Sequence, residues 1–145
     1  MLPDLQASLL CDDVRQEING KFILVGLFDG ITVQRLPVAM MRMCVVNRWC
    51  VGTGVFTQQT RVLAPDGITE TLKGKEVQIK LETEEQTATS VEVFVNPQFK
   101  QAGTYWIEIL LEGQIRMRYP FAIRVNRHKN PDPNEMPQQP PDADF

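Results

Sequence analysis

Histidine is nearly absent from this chain. One imidazole, His128, stands among 145 residues, in a proline-rich stretch near the end. A Ser–His or Cys–His nucleophilic pair needs that ring held in a folded site, so such catalysis has little to build on. A histidine-based metal site fails on the same count. The three cysteines, Cys11, Cys44 and Cys50, have no Cys-x-x-Cys spacing from which to make a zinc ribbon. No metal and no cofactor is expected.

Other absences narrow the field further. No run of 18 apolar residues occurs, so no membrane-spanning helix is expected. The opening Met-Leu-Pro-Asp-Leu-Gln has no basic signal-peptide start. There is no Asn-x-Ser/Thr sequon. An odd cysteine count without a pairing pattern suits reduced thiols in a cytoplasm. A net charge of −3 and a pI of about 5.2 lack the basic excess of a nucleic-acid binder. Gly52-x-Gly54 is followed by no helix pattern, as a phosphate loop would require, and reads as a bend between strands.

What is present is alternation. From Ile115 to Val125 every odd position is apolar, and Tyr105, Ile107, Ile109 and Leu111 repeat the pattern just before. A period of two marks strands with one buried face, so Gly103–Val125 predicts a hairpin walling a core. A strict two-residue turn at Glu112-Gly113 would set Ile109 opposite Arg116, mixing core with solvent. One more loop residue, or a bulge, restores Ile109 opposite Met117. The spacing therefore predicts a three- or five-residue connection, with Gly113 at positive φ.

The rest of the chain reads the same way. Leu5 to Cys11 is a first strand, followed by a polar stretch ending in the turn pair Asn19-Gly20. Lys21 to Phe28 is apolar on both faces, as a central strand can be. Further strands are expected at 31–33, 40–47, 55–63, 68–72, 77–81 and 91–95, with turn chemistry at Ala64-Pro65-Asp66-Gly67 and Asn96-Pro97. Nine or ten short strands without a sustained helical period predict an all-β antiparallel β-sandwich, immunoglobulin-like with Greek-key connections, over residues 1–125. Residues 126–145 hold five of the ten prolines and few apolar residues. They read as an irregular Pro-rich tail, extended or disordered.

Three groups are candidates for chemistry. Asp12, Asp13, Arg15 and Glu17 form the densest polar cluster. It is read either as a grip for a partner or cation, or as a local Arg15–aspartate pair shaping a turn; a calcium loop needs more oxygen ligands than this run offers. Arg116, Arg118 and Arg124 line the outer face of the last strand, as an anion row or as charges guarding a sheet edge, with Glu108 placed to neutralise part of it. Trp49 and Trp106 are platforms for a sugar if exposed, and packing residues if not.

Two blocks resemble a known family. Ala7-Ser-Leu-Leu-Cys-Asp-Asp-Val-Arg-Gln-Glu-Ile-Asn-Gly-Lys-Phe-Ile-Leu-Val-Gly and Gly103-Thr-Tyr-Trp through Tyr119-Pro120 are similar to a family of small bacterial proteins of unknown function. That family opens with a CDDVRxExNGK signature and closes with a GxY hairpin. The likeness spans residues 4–125. It implies a bacterial, cytoplasmic sandwich and carries no activity. The Gly-x-Tyr block is also similar to the penultimate strand of immunoglobulin-like domains, with Tyr105 near the place of a tyrosine corner.

These features point to a non-enzymatic binding or scaffold module. It would engage a protein partner through loops, a sheet edge or the tail, with Asp12, Asp13, Arg15, Glu17, Arg116 and Arg118 as partner-binding candidates. Nucleic acid and membrane are not expected as partners. The alternatives are a small-molecule or carbohydrate-binding sandwich on the tryptophans, and a carboxylate hydrolase on Asp12, Asp13 and Glu17. The hydrolase requires two of these to converge with a raised pKa.

Overall fold

The computed structural model describes residues 1–126; His128 and the rest of the proline-rich segment lie outside the described residues. Twelve strands make up the described chain: β1 (Asp4–Gln16), β2 (Phe22–Phe28), β3 (Gly30–Val33), β4 (Val38–Ala39), β5 (Arg42–Cys50), β6 (Gly54–Leu63), β7 (Glu70–Lys73), β8 (Val77–Leu81), β9 (Ala88–Val95), β10 (Gln98–Phe99), β11 (Gly103–Leu111) and β12 (Gln114–Val125). The first sheet has the order β2-β1-β5-β9. The second runs β3-β12-β11-β6, and successive stretches of β6 then pair with β8 and β7. The short β4 and β10 form a pair of their own. All pairings are antiparallel except β3 with β12, which is parallel.

The two sheets face each other across one apolar layer. Met43, Val45 and Trp49 from β5 meet Val62 of β6, Tyr105, Ile107 and Ile109 of β11, and Phe121 and Ile123 of β12. Each large apolar side chain taken from water contributes about 1.5–3 kcal/mol. Phe99, Tyr105 and Phe121 cluster at one end, Phe99 lying 5.1 Å from Tyr105 and 5.6 Å from Phe121 between ring centroids, in the tilted arrangements aromatic rings favour. The Tyr105 hydroxyl donates to the Gln101 carbonyl at 2.8 Å, a tyrosine-corner type of contact.

A polar group crosses the same layer. Asn47, Gln58 and Thr60 are buried at inward positions of β5 and β6. Gln58 Oε1 accepts from Trp49 Nε1 at 2.6 Å, Ser90 Oγ at 2.9 Å and Asn47 Nδ2 at 3.2 Å, so one oxygen of the second sheet serves three donors of the first. Asn47 Nδ2 also reaches Thr60 Oγ1 at 3.3 Å, while its own Oδ1 is buried without a protein partner. Two polar side chains of β6, Gln58 and Thr60, thus turn inward.

Several expectations are corrected. The first strand does not stop at Cys11. It runs to Gln16, because pairing with β2 continues through Asp13↔Val25 to Gln16↔Phe22 and is closed at Ile18-Asn19-Gly20. The stretch around Phe22–Phe28 is not central: β2 is an edge strand. The hairpin between β11 and β12 keeps the two-residue turn, with Leu111 opposite Gln114 and both Glu112 (φ 51) and Gly113 (φ 77) left-handed. Register is recovered inside the strands instead. A bulge beside Ile109/Leu110 leaves Arg116 unpaired and restores Ile109 opposite Met117.

The buried polar crossing makes the first prediction. Gln58→Ala removes the acceptor of three donors at once, and an unsatisfied buried group costs about 1–3 kcal/mol. The variant is expected to lose about 3 kcal/mol of unfolding free energy in urea denaturation. A loss within error of zero would show that the crossing adds nothing net.

Candidate interaction surface

β1 holds two neighbours over different lengths. Its pairing with β5 ends at Cys11↔Cys44, whereas pairing with β2 goes on to Gln16↔Phe22. Residues 12–25 therefore project as a two-stranded arm. The arm bends where Asp12 faces Gly26: Gly26 has φ +70, and the Asp12 carboxylate occupies the place where a Cβ would stand. Before the bend Leu10 and Phe28 belong to the main core. Beyond it Val14 and Leu24 pack with Val91 on a second buried cluster of Cys11, Cys44 and Val46.

The acidic candidates lie along this arm. Asp13 is a strand residue that accepts from Arg15 Nε at 3.3 Å and from Arg42 Nη1 at 3.0 Å. The local pair with Arg15 was legible in the sequence; Arg42 was not, although Asp13 and Arg42 each sit two residues beyond the last β1–β5 pair, Cys11↔Cys44. The Asp13 carboxyl is held below the usual aspartate range, first by the Val14 N–H, against desolvation, and then by Arg15 and Arg42. This is the opposite of the raised pKa that a general acid on this cluster requires. Glu17 sits apart at the exposed turn, where its backbone N–H donates to the Lys21 carbonyl. The cluster is an electrostatic brace for the arm, with Asp12 pointing at Gly26 and only Asp13 and Arg15 brought together.

The arginine candidates belong to the other sheet. Arg118 stacks on Trp106, its guanidinium carbon 4.6 Å from the ring centre, and lies 3.9 Å from Glu108 Oε2. Glu108 is almost fully buried under this cover and also accepts from Arg61 Nε at 2.7 Å. A buried carboxylate with two guanidiniums is held in place by them, and loss of one partner would leave it uncompensated. Arg116, at the bulge, donates to the Pro3 carbonyl at 3.4 Å. Arg124 lines an open hollow with Asp29, Thr32 and Thr104. β3 pairs β12 only from Ala122 to Val125, so Arg124 does not stand at a sheet edge and its edge-guard role is withdrawn, whereas Arg116 and Arg118 lie where β11 is the one strand paired with β12 among the described residues. Trp49 is fully buried, and one face of the half-buried Trp106 is taken by Arg118.

β3, β7 and β8 are short, and β7 and β8 carry lysines. β9 is tied to the second sheet, Glu92 Oε1 accepting from the Lys75 N–H at 3.0 Å. β2 has no neighbour on its outer side among the described residues. It carries no charge from Phe22 to Phe28, and Ile23, Val25 and Leu27 are 42%, 42% and 59% exposed. Edges are ordinarily blunted by charge, proline or cover. Gly26 gives β2 a bend, and nothing else protects it.

Among the described residues no group of three or more His, Cys, Asp or Glu side chains is placed to hold a metal ion, and no helix is long and apolar enough to cross a membrane. The polar clusters are engaged with one another, so the fold is a two-sheet all-β domain whose open feature is an apolar sheet edge. Residues 6–124 match the family model of DUF6941, a family of unknown function, and the chain belongs to that family. No curated protein matches it.

Two measurements check this surface. The stability that Asp13 contributes is full above the unfolded-state aspartate pKa and is lost as pH falls through the lower folded value. Arg42→Ala is expected to move the Asp13 midpoint upward in a carboxyl NMR titration; an unmoved midpoint would remove Arg42 from the brace. For the thiols, burial pushes Cys11 up to about 11 and raises Cys44 likewise. Iodoacetamide is expected to label the half-buried Cys50 first, with Cys11 and Cys44 reacting only at the rate of unfolding. Equal labelling of all three in the native protein would contradict the buried pair.

Proposed function

We propose that this protein is a non-enzymatic interaction module that docks a protein partner by strand addition at β2. The observation that carries the reading is the unguarded edge, with Ile23, Val25 and Leu27 exposed on an uncharged strand. Strand addition gains main-chain hydrogen bonds from the edge and specificity from alternate side chains. The partner-binding residues are therefore sought on β2 and the arm rather than at Arg116 and Arg118, which are occupied within the domain. A bacterial, cytoplasmic setting is part of the proposal. Cys11 and Cys44, directly opposed yet both free thiols, support a reducing compartment.

The test is affinity capture from the cells that make the protein, with wild type and the double variant Val25→Lys/Leu27→Lys. Both side chains are exposed, so the variant is expected to keep its thermal midpoint within a few degrees. Wild type should retain a stoichiometric protein that the variant loses. Undiminished capture by the variant would exclude β2 as the docking edge.

A further inference from the structure

The bent arm creates a cleft that the edge alone does not explain. Phe22 and Leu24 of β2 form one wall; Leu9 of β1 and Val46 of β5 form the floor, on the face of the first sheet turned away from the main core. The cleft encloses about 210 Å³. Pockets for whole small-molecule ligands run to about 300–1,000 Å³, so this one matches a single large side chain. Its rim has one charged residue, Arg48, whose Nε donates to Thr89 Oγ1 at 3.0 Å. That bond engages the Nε side of the guanidinium. Among the described residues no carboxylate forms an ion pair with Arg48, unlike Arg15, Arg42, Arg61 and Arg118. An apolar socket with one cation that no described carboxylate pairs selects an apolar group next to an anion.

We propose that this cleft receives an extended segment of a protein partner in which a large apolar or aromatic side chain is followed or preceded within two residues by Asp or Glu. The apolar side chain seats among Leu9, Phe22, Leu24 and Val46, and the carboxylate takes the outer nitrogens of Arg48. The proposal rests on the reading of β2 as a docking edge and deepens it: strand addition supplies affinity without sequence, and the cleft supplies the choice of sequence. Arg48 stands on β5, two strands in from β2, so the seated residues are those where the segment leaves the edge and crosses the Phe22–Leu24 wall onto the sheet face.

The probe is a displayed library of random seven-residue peptides selected on the full chain, followed by anisotropy titration of the most enriched peptide. Enrichment of an apolar residue beside Asp or Glu is expected. Arg48→Gln should weaken that peptide by about tenfold or more. Exchanging the peptide's acid for its amide should cost as much with wild type and almost nothing with Arg48→Gln. Leu9→Glu, at an exposed position, should abolish binding. Val25→Lys/Leu27→Lys is the separating control. If enriched peptides show no acidic preference and bind Arg48→Gln equally well, the cleft proposal is overturned, and sensitivity to the lysine pair would leave the edge reading intact. No enrichment at all also overturns it. Concentration-dependent self-association abolished by Arg48→Gln would make the occupant a second copy. Tighter peptide binding by residues 1–126 than by the full chain would make it the chain's own acidic C-terminal segment. Either result overturns a partner segment.

Discussion

One carbonyl oxygen, Gln58 Oε1, holds the two sheets in a single alignment. Apolar burial between sheets is strong but undirected, and a small sliding of one sheet over the other would keep most of it. The three donors from Asn47, Trp49 and Ser90 tolerate no such slide. In a low-dielectric interior a half-made polar network is worse than none, so it works as a locating pin. Through it β5 is set against β6. β5 in turn sets β1 by direct pairing, and so places the point at which the arm leaves the sheet.

The arm shows how a short polar block builds a shape. Asp12 lies where Gly26 has no side chain, Asp13 draws in Arg15 and Arg42, and Asn19-Gly20 closes the tip. Each residue of the Cys-Asp-Asp-Val-Arg block therefore has a local mechanical task. The result buries Cys11 and Cys44 on a sheet face that would otherwise meet solvent. Their raised pKa values follow from that cover, mainly through desolvation.

Alternation made the sandwich legible, because a period of two leaves little choice of element. The parity of Tyr105, Ile107, Ile109 and Leu111 located the inner face correctly, and Gly113 announced its positive φ. The bulge at Arg116 was legible only as a conflict of register, and the conflict has two solutions: lengthening the loop or bulging the strand. Local signals do not separate them. Gln58 and Thr60 were missed because a polar residue on a strand reads as a wet position unless its partners are known, and those partners are 9 to 32 residues away. Edge and centre were confused at β2 for a related reason. Apolar residues on both faces signal burial on both faces, yet here one face packs on the bent sheet and another is left open. The pairing of Asp13 with Arg15 was readable because it is local; its pairing with Arg42 depends on β1 lying beside β5.

Strand order has a consequence for synthesis on the ribosome. The first sheet is complete once β9 has emerged, at Val95. The second cannot close until Gly103–Val125 follows, and β3 waits for a parallel neighbour made some ninety residues later. During that interval the nascent chain holds a finished sheet whose inner face, with Met43, Val45 and Trp49, lacks most of its cover. Pairings this distant in sequence form slowly, and exposed apolar faces and open edges invite misassociation. Completion of the β11–β12 hairpin is therefore the event that covers the apolar face of the first sheet.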